Sequence, residues 1–189
     1  MDKLLTEIKK CTLCRSFLPL APRPILNFSQ SAKILIVGQA PGIKAHTSQT
    51  PWNDASGDRL RDWMGVDLET FYNEKLIAIT PMGFCYPGKG KSGDLPPRPE
   101  CSQKWMHQIL SHLKNIELKI IIGSYARDYF IKESDQNLTE AVRYWKPGNK
   151  KIILLPHPSP RNNIWLKKNP WFEIQTLPAL KRNVQKLLS

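Results

Sequence analysis

The four cysteines of this chain, Cys11, Cys14, Cys85 and Cys101, form a C-x2-C and a C-x15-C with none left over. A C-x2-C turn points two sulfurs the same way, and thiolates at such spacings converge on one metal centre. Four thiolates fit either a [4Fe–4S] cluster or a structural zinc, and spacing alone leaves both open. Four protein ligands leave no position for substrate, so the expected role is structural. Such a centre would staple the amino-terminal arm and the 85–101 loop to the rest of the chain.

A second set of candidate residues sits in three turns. Gly38-Gln39-Ala40-Pro41-Gly42, Pro81-Met82-Gly83-Phe84-Cys85 and Pro156-His157-Pro158-Ser159-Pro160 each follow a short apolar run. Those runs are residues 33–37, 76–80 and 151–155, with a further one at 119–123, and they read as buried strands. Helices are expected over 2–10, 56–65, 101–114, 124–132 and near 174–188. An irregular proline-bearing arm is expected over 15–32, and a long Pro/Gly/Lys loop over 81–100. Strands alternating with helices give an α/β fold with a parallel sheet covered on both faces. Ligands bind at the carboxyl ends of strands in such sheets, so the three turns should gather around one cleft.

The 189 residues read as one domain, 1–189, with 41% apolar residues for a core. No apolar run reaches the roughly 18 residues of a membrane span. The start, Met1-Asp2-Lys3, lacks an apolar h-region, and a reducing cytoplasm is the expected location, where cysteines hold metal more often than disulfides. Lys plus Arg number 28 against 16 acids, a net charge of +12, which points to a polyanionic partner. Lys89, Lys91, Arg98, Lys167 and Lys168 are candidates for diffuse phosphate attraction, solubility being the alternative.

Val37 to Gly42 at one strand end, with His157-Pro158-Ser159-Pro160 at a later one, resembles the two signature motifs of the uracil-DNA glycosylase superfamily. Its iron–sulfur branch, often called family 4, is the one most similar. That branch reads G-E-A-P-G in the first motif and carries an aromatic ten residues after the second glycine; here Trp52, in Thr50-Pro51-Trp52, stands at that place. Gly57 matches a further glycine, Ile121-Ile122-Gly123 with Ala126 resembles a V-G-x-x-A segment, and the cysteine spacings are shared. The resemblance runs from Cys11 to Leu187.

The resemblance implies a three-layer α/β/α sandwich with a four-stranded parallel sheet, order 2-1-3-4. It also implies a DNA groove with a pocket for an extrahelical base, and a [4Fe–4S] cluster on Cys11, Cys14, Cys85 and Cys101, zinc being the alternative. Cleaving an N-glycosidic bond requires the base to leave the stack. Trp52 would stack on it, the other reading of Trp52 being a core or helix-capping aromatic. Gly38, Ala40 and Met82 would line the base site with it. His157 would stabilise the departing base anion, where one well-placed donor is worth about 3 kcal/mol. Its plainer reading is a loop histidine. Ser159, Arg161 and Asn162 would lie against DNA.

The chain departs from that pattern where a carboxylate is expected. Gln39 replaces the first-motif Glu, Ala45 and His46 replace a downstream acidic pair, and Pro81 replaces the Asn that reads the base edge. Gln39 with backbone amides would position base or water, and His46 is a candidate proton carrier. Asp54 and Asp58 lie nearby, but read better as helix N-capping or surface charges. The expected activity is release of a flipped uracil-like, damaged or modified base by a monomeric enzyme. Two rivals stand beside it: a DNA-binding homologue that kept fold and metal but lost catalysis, and an enzyme of free nucleosides or nucleotides. Trp165, Trp171 and Phe172 either pack the last helix, the favoured reading, or touch DNA.

Overall fold

The computed structural model describes residues 3–131, 137–144 and 151–189. Six strands are seen among them, β1 (Ile34–Val37), β2 (Ile77–Ile79), β3 (Lys89–Gly90), β4 (Gly93–Asp94), β5 (Leu118–Ile122) and β6 (Ile152–Leu155). β2, β1, β5 and β6 make a parallel sheet in that order, while β3 and β4 form a separate antiparallel hairpin. In chain order the four parallel strands run 2-1-3-4, the order the resemblance implies, and helices flank them. The α/β fold expected from the sequence is the one observed.

Continuous apolar runs form the sheet because both of its faces are covered. Every side chain of β1 and β2 is buried, as are Ile120, Ile121 and Ile122 of β5. Helix Ala55–Met64 presents Leu60, Trp63 and Met64 to the core. It starts where the Asp54 carboxylate accepts from the Ser56 and Gly57 amides, both at 2.9 Å. It stops at Gly65, whose φ of 69° is the left-handed conformation a helix C-terminus uses. Asp54 is therefore an N-cap, as expected.

The closing helix, Leu177–Leu188, buries Leu177, Leu180 and Val184, the three- and four-residue spacing of one face. Phe172 is fully buried and meets Trp63 edge-on at 5.0 Å, with Trp165 and Trp171 also packed around it. The aromatic patch is thus packing, as favoured above.

The expected helix 101–114 spans residues 99–112 and widens to a π-turn over Ser102–Met106. Helix Ser124–Phe130 ends before position 132, which lies outside the described residues, as does position 2 of the first expected helix. Helices Ile43–Ser48, Leu68–Tyr72, Leu138–Tyr144 and Asn163–Lys168 and the β3–β4 hairpin were not foreseen. Each is too short for an apolar period to show. Among the described residues no helix is long and apolar enough to cross a membrane.

One contact ties the Ala55–Met64 helix to the loop before it. A Cβ added to Gly57 would stand 1.7 Å from the Trp52 carbonyl oxygen. That oxygen is backbone and cannot swing aside. Gly57→Ala should therefore cost about 1–3 kcal/mol of stability, read as a lower midpoint in urea unfolding with an unchanged slope.

Candidate active site

The three turns meet at the carboxyl ends of their strands. The Met82 amide donates to the Gly38 carbonyl and the Gly83 amide to the Gln39 carbonyl, each at 2.9 Å. The ladder between β1 and β2 thereby continues into the turns and fixes the first against the second. Beside them opens a cavity of about 450 Å³. Gly38, Gln39, Ala40 and Gly42 of the first turn line it, with Pro81 of the second and His157, Ser159 and Arg161 of the third. Trp52 and Asp54 enter from the loop ahead of the Ala55–Met64 helix, and Lys89, Ser92, Gly93 and Asp94 from the hairpin.

Trp52 is held in a strained backbone. Its φ is 57°, a region bulky residues rarely occupy and one that costs about 1–3 kcal/mol. Three neighbours hold it there. The Tyr72 hydroxyl donates to the Pro51 carbonyl at 2.9 Å, Gly57 packs beneath the Trp52 carbonyl, and the indole lies over Gly38. A Cβ on Gly38 would meet that ring at 2.8 Å, so only glycine admits it. The ring also faces the His157 imidazole, with centroids 5.6 Å apart and planes tilted by 33°.

His157 titrates below its ordinary value because burial disfavours the imidazolium, with the Asp54 carboxylate pulling the other way. The ring is therefore neutral at neutral pH and carries one N–H to donate. Its loop is braced twice. Asn162 donates its side-chain amide to the His157 carbonyl at 2.7 Å, and Arg59 donates to the Ser159 carbonyl at 3.0 Å. Ser159 Oγ accepts from the Arg161 amide at 3.2 Å.

The hairpin is held over the cavity by two side chains. Arg161 Nη1 donates to the Ser92 carbonyl at 3.0 Å, and Gln39 Nε2 donates to the Leu95 carbonyl at 3.2 Å. Asp94 is the residue sequence reasoning missed. It lay in what read as a loop of Pro, Gly and Lys, and its approach to the first turn is purely tertiary. Burial raises its carboxyl, Arg161 lowers it, Asp54 adds to the rise and Lys89 opposes it.

The other sequence candidates sit elsewhere. His46 is buried, with Nδ1 unpaired among the described residues and its ring 6.1 Å from Tyr86. Its carbonyl accepts from Arg23 at 2.9 Å, and burial followed by the Arg23 charge lowers its pKa. Its neighbour Ala45 lines the cavity; His46 does not. Met82 has its side chain in the core and contributes its amide to the first turn. Asn162 is not among the residues that line the cavity, and it braces the His157 loop.

Cys11, Cys14, Cys85 and Cys101 line one small pocket walled by Leu13, Leu18, Pro22, Pro24 and Phe84. Cys14 and Cys101 hydrogen-bond, and the thiols interact electrostatically with one another. Burial pushes Cys85 up to about 11 and Cys101 up to about 12, so a cation is needed to draw off their protons. Among the described residues no group of three or more His, Cys, Asp or Glu side chains is placed to hold a single metal ion.

The family model of the Uracil DNA glycosylase superfamily matches residues 27–181. The chain belongs to that superfamily. Membership makes it a member of a family of DNA glycosylases, hydrolases of the bond between base and sugar. The match takes in all four parallel strands, the three turns and both His157 and Trp52. Cys11 and Cys14 lie outside it.

The His157 shift carries a pH signature. As pH falls, the unfolded chain takes up the imidazole proton first, because the folded value is the lower one. The stability contributed by the neutral ring is complete above about pH 6.5 and is lost as pH drops through the folded value. Melting temperature should fall between about pH 7 and 5, and His157→Gln should make that fall shallower. An identical slope in wild type and variant would refute the burial of this ring.

Proposed function

We propose that the protein releases a flipped uracil-like, damaged or modified base from DNA by hydrolysing its N-glycosidic bond. The observation that carries this reading is the Trp52 indole set beside the neutral His157 imidazole, at 5.6 Å, in the one cavity where the three strand-end turns meet. Trp52 stacks on the extruded base; stacking of this kind is worth about 1–3 kcal/mol per base. His157 donates its N–H to a base oxygen as the bond breaks. Developing negative charge makes that hydrogen bond stronger in the transition state than in the ground state, which is what accelerates the step. Gly38 and Ala40 bring the backbone of the first turn close to the base, with Gln39 positioning base or water.

Ser159 and Arg161 line the cavity and would meet phosphate, with Asn162 fixing their loop. The net charge of +12 supports a DNA partner independently. Pro81 at the second turn offers no N–H and no side-chain amide to a base edge. That loss is the reason to test bases beyond uracil.

Duplexes carrying uracil, hypoxanthine, xanthine or modified pyrimidines test the reading directly. Abasic-site formation on at least one of them is expected, and His157→Asn should slow release by about 100-fold. Tight binding with no release from any duplex would leave a DNA-binding module instead. Turnover of free nucleosides with salt-insensitive DNA affinity would point to the small-substrate rival.

The four cysteines fit a [4Fe–4S] cluster. They line one small pocket and would supply four thiolates. A zinc ion on the same four thiolates is the alternative. The cluster would tie the arm carrying Cys11 and Cys14 to the loop and helix carrying Cys85 and Cys101. Anaerobically purified protein should hold about four irons per chain with broad visible absorption. Cys101→Ser should lose both and melt at a lower temperature. One zinc per chain and no visible band would reject the cluster.

A further inference from the structure

The cavity holds a carboxylate that the first motif does not provide. Building on the glycosylase reading, we propose that Asp94 is the catalytic carboxylate of this site, taking the proton of the attacking water and facing the positive charge that develops on the sugar. Three observations converge on it. First, the turn expected to supply an acid supplies none. Its Gln39 cannot act as a base, and Gln39 Nε2 is already committed to the Leu95 carbonyl at 3.2 Å. Second, the hairpin brings Asp94 to that same turn. Asp94 Oδ2 lies 3.3 Å from the point where a Cβ on Gly42 would stand, and Asp94 lines the cavity together with His157 and Trp52.

Third, the competing carboxylate is occupied. Asp54 Oδ1 accepts from two backbone amides at the start of the Ala55–Met64 helix. No described residue donates a hydrogen bond to the Asp94 carboxylate, so its lone pairs are open to water. The charged groups around it are Arg161, Asp54 and Lys89; the residue is exposed to water, and desolvation on the cavity side raises its carboxyl.

The step balances without a further reactant. A water oxygen bonds to the anomeric carbon while its proton passes to Asp94. The carbon–nitrogen bond breaks and its electron pair leaves on the base, whose oxygen accepts from the His157 N–H. The base then takes a proton from solvent, and Asp94 returns its proton to solvent.

The test separates this assignment from the glycosylase reading. Binding of the full chain is measured to two duplexes, one with a cationic pyrrolidine in place of the target sugar and one with a neutral tetrahydrofuran. Wild type should bind the cationic duplex at least about ten-fold more tightly, a difference of about 1.4 kcal/mol. Asp94→Asn should erase that preference and leave the neutral affinity within about two-fold, which also shows that the variant folds. On any duplex that wild type cleaves, Asp94→Asn should slow base release by at least about 100-fold, and Asp94→Glu by less. An Asp94→Asn variant that keeps the cation preference and releases base near the wild-type rate overturns the assignment. Absence of base release from every duplex, with an Asp94-dependent cation preference intact, overturns the glycosylase reading and leaves Asp94 facing the sugar.

Discussion

The site depends on the close approach of the Trp52 indole to a backbone without side chains. Gly38 lies under the ring and Gly57 under the Trp52 carbonyl, and neither admits a Cβ at its present distance. Between them the loop adopts a φ of 57° that a tryptophan does not choose unaided. The strain is offset by the Tyr72 hydroxyl on Pro51 and by the N-cap that starts the helix two residues on. An aromatic wall is thus fixed before any ligand arrives, which spares a ligand the cost of ordering it.

The remaining walls follow from the sheet. Parallel strands end on one side, so their turns converge there, and the amide bonds from Met82 and Gly83 lock the first two turns together. The third turn brings His157 opposite Trp52 through bracing by Asn162 and Arg59. The hairpin then adds what the turns lack, a carboxylate and a lysine, and is held down by Arg161 and Gln39. Gln39 therefore has a structural partner here as well as a place in the cavity. Two acids in a cavity of a chain with net charge +12 divide the electrostatics. The net positive charge favours a polyanion, whereas Asp54 and Asp94 place negative charge inside the cavity.

The four short apolar runs showed the parallel sheet because their central residues have nothing polar to place on either face. The C-x2-C and C-x15-C spacing grouped four thiols; they line one pocket, and among the described residues no three of them are placed to hold a single metal ion. Asp54 as an N-cap was legible from the Ser56-Gly57 start of an apolar period. His46 illustrates the opposite case. Its neutral-range pKa and motif context marked it for the site, yet the side chain turns toward Tyr86 because a helical residue and its neighbour face different ways.

By itself the sequence determined the fold class, the family motifs, the excess of basic charge and the turn residues at strand ends. These rest on periodicity and composition, which act locally along the chain. Tertiary structure alone decided that Asp94 reaches the first turn, that Trp52 lies against Gly38, and that Met82 supports the site through its amide. Each of those is a contact between segments distant in sequence. Such contacts arise only when the sheet, the hairpin and the loops close on a common core.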